Sequence, residues 1–344
     1  MPVIHHLIAD EFGLHIGKYS ERLRVTRIKT GEKLGDYPLL HLEAVLVMSN
    51  GVSLSSDAVR ACAERGIPIY FLSGSGRAYA MLYSAQLTGT VATRRAQLAA
   101  YESPLGLHLA RTFALGKVQN QINLLRYFAK NYREREPDRF AQVHERVRAI
   151  QDVQAELDHL PTDAMDLEEA RGILLGLEGR AAHHYWAGVG LLLRQELDWP
   201  GRMTRGATDP FNQALNYGYG ILYGWVERAL LLAGLDPYGG FLHADRPGKP
   251  SLVLDLIEEF RQQVVDRVLI ALVNRGTALT QEGPRLDRET RRRIADRVLE
   301  RLRTNVPYEG KRVQLQSALQ SQARHLATFL RGERDEYVPF VGPW

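Results

Sequence analysis

The sequence has few features of an exported or membrane-bound protein. Its 344 residues include one cysteine, Cys62, so it can form neither a disulfide framework nor a cysteine-based zinc site. It has no run of about 18 apolar residues, and segments such as GILLGLEG and ALLLAGL are too short to span a bilayer. The N-terminal MPVIHHLIADEFG lacks the basic region and long apolar core of a signal peptide. These absences favour a soluble protein of the reducing cytoplasm.

The composition is that of a globular protein with a mild basic excess. Hydrophobic residues make up 45% and charged residues 24% of the chain, both ordinary values. The length predicts two domains or one large one. The net charge of +4 permits nucleic-acid binding without requiring it. No internal repeat or low-complexity tract is evident.

The N-terminal part of the chain has the alternating apolar pattern of short β-strands. LHIGKY and RLRVTRIKT predict a hairpin that turns at Ser20 and Glu21, and LHLEAVLVMS predicts a third strand. DAVRACAERG predicts a short helix, capped by Ser55 or Ser56 and ended by Gly66. IPIYFLS and RAYAMLYS predict two more strands. The GSG between them lacks the lysine of a phosphate loop and predicts a plain turn.

After about ninety residues the periodicity changes to that of long helices. Leu109, Phe113 and Lys117 share a face of one helix, which continues through VQNQINLLRYFAKNYRE. FAQVHERVRAIQDVQAEL predicts the next helix. Thr162 or Asp163 is predicted to cap a third, which includes LEEARGILLGLEGRAAHHYWAGVGLLL.

The remaining sequence also favours helices. Asp209 followed by Pro210 is a strong helix start, and DRETRRRIADRVLERLR and KRVQLQSALQSQARHLATFLR predict the last two helices. Strands followed by helices predict an α+β multidomain fold. We expect a small β-rich domain over residues 1–90 and a larger, all-α domain over residues 91–344, with the junction near 87–95.

One stretch, residues 239–261 (GGFLHADRPGKPSLVLDLIEEFR), combines groups that could bind a metal. An apolar segment leads to His243, a turn rich in Gly and Pro follows, and Ser251 is predicted to cap a helix. Asp255 and Glu258 are three positions apart on that helix, so both carboxylates can point the same way. These groups form half of a divalent-metal site, or else a satisfied core histidine and a solvated acidic face.

Glu178 supplies a further carboxylate, because it lies in the apolar segment LLGLEGRAAHHYW. A buried carboxylate is costly unless it is paired, protonated or bound to metal. Arg180 or another basic residue is the alternative partner. Glu178, His243 and Glu258, with Asp255 as a fourth group, would offer oxygens and one imidazole, which suit Mg²⁺ or Mn²⁺ better than Zn²⁺.

Residues 285–303 are basic, with eight arginines against four acidic residues. Part of this charge is paired along the helix, as for Glu289 and Arg293. The remainder either contacts nucleic-acid phosphates or forms a solvated face. The residues predicted to hold DNA are Arg285, Arg291, Arg292 and Arg293.

Several blocks resemble a known family. LEGRAAHHYW, DPFNQALNYGYGILY, GLDPYGGFLH and SLVLDLIEEFR, in that order and spacing, resemble the CRISPR-associated adaptation integrase, the first-numbered Cas protein of spacer acquisition. GKVQNQINLLRY and SSDAVRACAERGIPIYFLS are similar to the same family, so the resemblance covers nearly the whole chain. It implies a β-rich dimerisation domain and a helical catalytic domain.

The resemblance also implies a site and partners. Glu178, His243 and Glu258 would bind Mg²⁺ or Mn²⁺ in a DNA endonuclease and integrase. Some members have Asp where this chain has Glu258, which leaves open whether Asp255 or Glu258 is the direct ligand. The implied partners are a second copy of the chain, double-stranded spacer precursors, the CRISPR repeat, and the small second-numbered Cas protein, which bridges two dimers.

Such a site would act by direct displacement. The 3′-hydroxyl of a captured DNA fragment would attack the repeat phosphodiester, and water in its place would give nuclease activity. Two other hypotheses remain at this stage: a non-catalytic DNA-binding scaffold of the same fold, and a metal phosphohydrolase acting on nucleotides. The latter often uses adjacent His and Asp, whereas His243 and Asp245 are separated by Ala244.

Overall fold

The computed structural model describes residues 6–73, 78–82, 91–161, 165–193, 197 and 199–342. The chain divides into two compact units, Met1–Leu87 with Tyr219–Gly224, and Thr88–Gly218 with Trp225–Trp344. The first unit is rich in strands and the second is mostly helical, in agreement with the order predicted from the sequence. The GSG turn, the cap at Thr162 or Asp163 and most of the predicted junction lie outside the described residues. The domain limits therefore stay a prediction.

The described residues of the first unit up to Leu82 have eight strands and one α-helix, and the unit also includes Tyr219–Gly224 from a long helix. In chain order these are β1 His6–Ala9, β2 Leu14–Tyr19, β3 Arg22–Arg27, β4 Lys33–Pro38, β5 Ala44–Val47, β6 Ser53–Leu54, α1 Ser56–Glu64, β7 Ile69–Leu72 and β8 Ala78–Leu82. They form two four-stranded sheets, ordered β4-β3-β2-β6 and β1-β5-β7-β8. The sequence patterns did not predict β1, β4 or β6.

The predicted hairpin is confirmed, since β2 and β3 are antiparallel and Tyr19 pairs with Arg22. Ser20 has a φ of 52° at the turn. The apolar positions of both strands alternate with exposed ones and face a shared core. Cys62 of α1 is buried in that core, and burial raises the pKa of its thiol to about 11, so it is chemically inert.

The second unit contains the long helices. They are α2 Val91–Tyr101, α3 Pro104–Ala129, α4 Pro137–Asp158, α5 Leu167–Leu192, α6 Pro210–Leu232, α7 Ser251–Ile257, α8 Arg267–Asn274, α9 Arg288–Arg303 and α10 Leu315–Leu330. A π-helical turn, Gln262–Asp266, lies between α7 and α8. Helices α3, α4 and α5 pack against one another, which places the middle of α3 beside the middle of α5.

Local capping chemistry explains where these helices begin. Asp209 accepts a hydrogen bond from the backbone N–H of Asn212, with Pro210 as the first helical residue, which confirms the predicted start of α6. Asp166 and Glu169 form a capping box at the start of α5. The predicted cap at Ser251 is wrong, because Pro250 occupies the cap position and Ser251 is already helical.

The expectation of an all-α second unit was too strict. Two short antiparallel hairpins interrupt the helices: β9 Gln281–Glu282 with β10 Arg285–Leu286, and β11 Asn305–Tyr308 with β12 Lys311–Gln314. KRVQ, predicted to open the last helix, is strand β12. Glu309 and Gly310 both have positive φ at the tight turn between β11 and β12, and two such residues in sequence favour a hairpin over a helix.

Across the described ranges, none of the helices combines the length and the apolar character that crossing a bilayer requires.

Candidate active site

Three buried charged side chains meet between α3, α5 and the turn that follows α7. The Nζ atom of Lys117 lies 2.8 Å from Oε2 of Glu258 and also contacts Oε1 of Glu178. These side chains are 9%, 2% and 12% exposed, respectively. The structure therefore brings Glu178 and Glu258 onto the same ammonium group.

The charges of this cluster support one another. Burial lowers the pKa of Lys117, but the carboxylates of Glu178 and Glu258 raise it by more, so the net shift is upward. Burial raises the pKa of Glu258, but Arg261, Lys117 and His243 together bring it below its ordinary value. Arg261 contributes an ion pair of 3.0 Å with Oε1 of Glu258. Both Lys117 and Glu258 are thus charged at neutral pH.

His243 is held by Asp255. The Nδ1 atom of His243 lies 2.8 Å from Oδ1 of Asp255, a contact that fixes the ring and leaves Nε2 as the nitrogen that can coordinate a metal. His243 is also near enough to Glu258 to lower its pKa. The His243 side chain is 18% exposed, while Asp255 is fully buried.

Asp255 and Glu258 have different partners, although they lie three positions apart. The oxygens of Asp255 accept backbone N–H groups from Phe241 at 2.6 Å, Leu242 at 3.1 Å and His243 at 2.9 Å. Asp255 therefore closes the loop that carries His243, whereas Glu258 faces Lys117. This arrangement favours Glu258 over Asp255 as the direct metal ligand that the sequence left open.

Other buried side chains tie down the same loop. Gln97 of α2 donates to the carbonyls of Asp236 at 2.8 Å and Gly239 at 2.7 Å. Arg171 of α5 donates to the carbonyl of Phe241 at 3.2 Å. A Cβ on Gly240 would lie 2.6 Å from Cβ of Ser251, so only glycine permits this approach. The position of His243 is therefore set by side chains from several helices.

The donor chemistry fits a divalent cation, but the present arrangement is not a formed metal site. Among the described residues, no three His, Cys, Asp or Glu side chains are already grouped to hold an ion. Within that same part of the chain, Oε2 of Glu178 and Oε2 of Glu258 are buried and accept no hydrogen bond, although the latter forms the ion pair with Lys117. Two carboxylates and one imidazole suit Mg²⁺ or Mn²⁺.

The alternative of a basic partner for Glu178 is confirmed, but the partner is not Arg180. Arg180 forms two hydrogen bonds of 2.7 Å with Glu156 of α4, and Lys117 is the partner of Glu178 instead. Sequence reasoning assigned no role to Lys117. The sequence did contain an indication of such a role. Lys117 follows Leu109 and Phe113 on an apolar helix face, and a charge on such a face needs a buried partner.

The predicted DNA-binding arginines differ in their surroundings. Arg293 pairs with Glu289 at 2.5 Å, as the spacing predicted, and Nε of Arg291 donates to the carbonyl of Asp287 at 3.4 Å. Arg285 of β10 and Arg292 of α9 are exposed, so these two are the most accessible to a phosphate.

Glu259, next to Glu258, anchors the C-terminal segment, residues 337–342. Its carboxyl accepts hydrogen bonds from the hydroxyl of Tyr337 at 2.7 Å and the backbone N–H of Phe340 at 2.8 Å. Burial raises the pKa of Glu259 to about 8, although these bonds lower it in part. Asn120 of α3 completes the anchor: its amide donates to the carbonyls of Phe340 and Glu259 at 2.8 and 3.1 Å and accepts from Gly342 N–H at 2.8 Å.

We expect Asn120→Ala to release this segment. The change leaves several buried backbone groups unpaired, at about 1–3 kcal/mol each, so the free energy of unfolding should fall by roughly 2–4 kcal/mol. Limited proteolysis should then cut within residues 337–342 faster than in the wild type. Gln119→Ala is the control, because Gln119 bonds to Asn123 and Gln154 and not to the C-terminal segment; it should not speed cleavage within residues 337–342. Equal proteolysis of all three proteins would contradict the anchoring role.

Comparison with known proteins identifies the family to which this chain is similar. The family model described as "CRISPR associated protein Cas1" matches residues 7–300. The CRISPR-associated endonuclease Cas1 1 of Archaeoglobus fulgidus is 35% identical over 350 residues, which cover 98% of this chain and 99% of that protein. This similarity extends through every residue of the candidate site.

Solved structures show the same fold. A casposase bound to integration product superposes with a TM-score of 0.83 at 23% identity, over 99% of this chain and 94% of that one. A chain of a Cas6-RT-Cas1–Cas2 complex gives a TM-score of 0.76 at 22% identity, over 100% of this chain and 37% of that longer one. With the family match across most of its length, the chain belongs to the Cas1 family of CRISPR-associated proteins.

Proposed function

We propose that this protein is a metal-dependent DNA endonuclease and integrase that inserts captured foreign DNA fragments into a CRISPR array in the cytoplasm. The observation that carries the proposal is the meeting of Glu178 and Glu258 on one buried cation beside His243. The Archaeoglobus relative is called an endonuclease, and the similar casposase is described as bound to an integration product.

Three residues would hold the metal: Glu178 and Glu258 through carboxylate oxygens, and His243 through Nε2. Asp255 would act on His243 and not as a ligand, because its oxygens are engaged by backbone N–H groups and by Nδ1. When bound, Mg²⁺ or Mn²⁺ would polarise the phosphodiester and offset the negative charge of the transition state.

The protein's own groups would prepare the displacement. Asp255 keeps the imidazole in one orientation, and Arg261 and Lys117 add positive charge where the phosphate gains negative charge. The 3′-hydroxyl of the fragment would lose its proton to solvent as its oxygen bonds to the phosphorus, while the bond from phosphorus to the repeat's own 3′-oxygen breaks and that oxygen takes up a proton from solvent. Water attacking at the same phosphorus would give strand cleavage. Neither reaction needs a covalent intermediate with the protein.

DNA and protein partners complete the proposal. Arg285, Arg291, Arg292 and Arg293 would hold DNA by phosphate contacts, which position a duplex without reading its sequence. We propose that the chain acts as a homodimer and assembles with the second-numbered Cas protein, since a structurally similar chain belongs to a complex titled Cas1–Cas2.

One observation favours a second candidate, a non-catalytic DNA-binding scaffold of the same fold. Lys117 and Arg261 together already neutralise the two carboxylates, and a cluster satisfied in this way can be purely structural. The two functions differ in their need for a divalent cation.

The test combines a DNA fragment with free 3′-hydroxyl ends, a supercoiled plasmid carrying the CRISPR repeat array, the purified protein and its Cas2 partner. We expect joined products with Mn²⁺ or Mg²⁺ and none with EDTA. Fragments ending in a 3′-dideoxynucleotide should give no joined product, although plasmid nicking by water should persist. Joining that continues in EDTA would contradict the metal-dependent mechanism. DNA binding without joining or nicking under any condition would support the scaffold.

A further inference from the structure

Four side chains of the candidate site balance one another in charge before any metal enters, while the further carboxylate, Asp255, is engaged by backbone N–H groups and His243. Glu178 and Glu258 supply two negative charges, and Lys117 and Arg261 supply two positive charges within contact distance. Lys117 is the more enclosed of the two cations, with a side chain 9% exposed against 25% for Arg261. A lysine so deeply buried requires counter-ions, and here its counter-ions are the carboxylates proposed as metal ligands.

We propose that Lys117 is an internal cation that competes with the divalent metal for Glu178 and Glu258 and that, once displaced, directs its charge at the phosphate of the DNA substrate. This inference rests on the proposed function, because it assigns Lys117 a role in the same site. It makes Lys117 a further catalytic residue. It predicts that removing the charge of Lys117 raises the affinity for the metal and lowers the rate of turnover.

The competition follows from the space available. The ammonium lies 2.8 Å from Oε2 of Glu258 and touches Oε1 of Glu178, whereas Mg²⁺ binds carboxylate oxygens at about 2.0–2.1 Å and prefers six ligands. The ammonium and the metal cannot both occupy the gap between these oxygens. A lysine has four carbons between its backbone and its charge, so Nζ can move by a few ångströms while α3 stays in place.

The positive charge of the displaced Lys117 can then stabilise the phosphate of the DNA. A divalent cation adds two positive charges to Glu178, Glu258, Lys117 and Arg261, and a phosphodiester brings one negative charge that increases in the transition state of displacement. Lys117 therefore keeps the loaded site complementary to the transition state, although it weakens the binding of metal to the free protein. A purely structural lysine would act differently, because its loss would weaken metal binding and turnover together.

The test is Lys117→Met, which keeps the length of the side chain and removes its charge. We expect the affinity for Mn²⁺ alone, measured without DNA by the electron paramagnetic resonance signal of the free ion, to increase about tenfold or more. At saturating Mn²⁺ the rate of DNA joining should fall at least about tenfold. Lys130→Met, at an exposed lysine just beyond α3, is the control and should leave both quantities unchanged.

Unpaired carboxylates could destabilise Lys117→Met, so a second measurement follows its thermal stability with and without Mn²⁺. Added Mn²⁺ should raise the Tm of Lys117→Met by more than it raises the Tm of the wild type. A variant that is unfolded without metal and folds with Mn²⁺ supports the proposal, and one that stays unfolded at millimolar Mn²⁺ overturns it. The double variant Lys117→Met with Glu178→Gln restores the balance and should fold but lose the tighter Mn²⁺ binding.

The outcomes separate the two proposals. If the wild type, Lys117→Met and Lys130→Met all bind no Mn²⁺, the metal-dependent function itself fails. If the wild type binds Mn²⁺ and Lys117→Met binds it equally or more weakly, only the role assigned to Lys117 fails.

Discussion

Glu258→Ala is expected to abolish DNA joining, with a rate lower by on the order of a thousandfold or more, while the protein stays folded. The reason is that Glu258 is the most buried member of the cluster and faces both Lys117 and Arg261. Removing it deletes one proposed metal ligand and leaves the site with a surplus of positive charge. Glu178→Ala and His243→Ala should have the same effect, with Mn²⁺ as well as with Mg²⁺.

The fold should survive this change. After Glu258→Ala, Lys117 still contacts Glu178, and Arg261, which is 25% exposed, can reach water. We therefore expect the free energy of unfolding to fall by only about 1–3 kcal/mol, measured by urea denaturation. Glu156→Ala is the control, because Glu156 pairs with Arg180 on the surface and such pairs contribute little. Joining by Glu258→Ala within tenfold of the wild-type rate would rule out the ligand assignment.

The elements best predicted from the sequence are those that local chemistry determines. Asp209 caps α6 and Pro210 fixes φ at its first position, so the start of this helix depends only on two adjacent residues. The β2–β3 hairpin likewise depends on two short alternating strands and a two-residue turn. The blocks around Glu178, His243 and Glu258 were identified by their order along the chain. The meeting of Glu178 and Glu258 on Lys117 is a tertiary property, which no local pattern contains.

The partner of Glu178 shows what the sequence could not predict and what it could have excluded. Arg180 lies two positions later, and residues two apart on a helix do not share a face, so helix geometry already argued against that pair. Lys117 lies 61 positions away, and only the packing of α3 against α5 brings it to Glu178. The apolar surroundings of Lys117 indicated a buried charge, but they could not indicate which carboxylate would neutralise it.

Ser251 shows how tertiary contacts override local preference. A serine before an apolar run is typical of a helix cap, yet its hydroxyl accepts the backbone N–H of Gly240 at 2.9 Å and donates to the carbonyl of Tyr238. The predicted cap is therefore wrong, and the serine holds the loop before His243 and not the helix that follows.

Asp255→Ala should have the second-largest effect, because one buried carboxylate holds the entire approach to His243. Its loss leaves three backbone N–H groups without their acceptor, from Phe241, Leu242 and His243. We expect the free energy of unfolding to fall by about 3–5 kcal/mol, measured by urea denaturation, and DNA joining to be lost. A variant as stable as the wild type would contradict this role.

Asp255→Asn separates the support of the loop from the orientation of the imidazole. One amide oxygen can still accept the N–H groups of Phe241 and Leu242. The amide NH₂ then donates to Nδ1 of His243 and leaves the backbone N–H of His243 without its acceptor. The imidazole must place its proton on Nε2, and a protonated Nε2 cannot bind a metal. We therefore expect a folded protein whose Mn²⁺ affinity is about 10- to 100-fold lower.

Two measurements test this tautomer change. Nitrogen-15 chemical shifts of the His243 ring should show the proton on Nδ1 in the wild type and on Nε2 in Asp255→Asn, and the Mn²⁺ titration should show the weaker binding. Asp245→Asn is the matched control, since Asp245 lies on the same loop and its side chain contacts the hydroxyl of Ser251, whereas the carboxylate at Nδ1 of the imidazole is that of Asp255. If Asp255→Asn shifts the proton to Nε2 and still binds Mn²⁺ as tightly as the wild type, then His243 is not a ligand, and the metal must be held by the carboxylates without it.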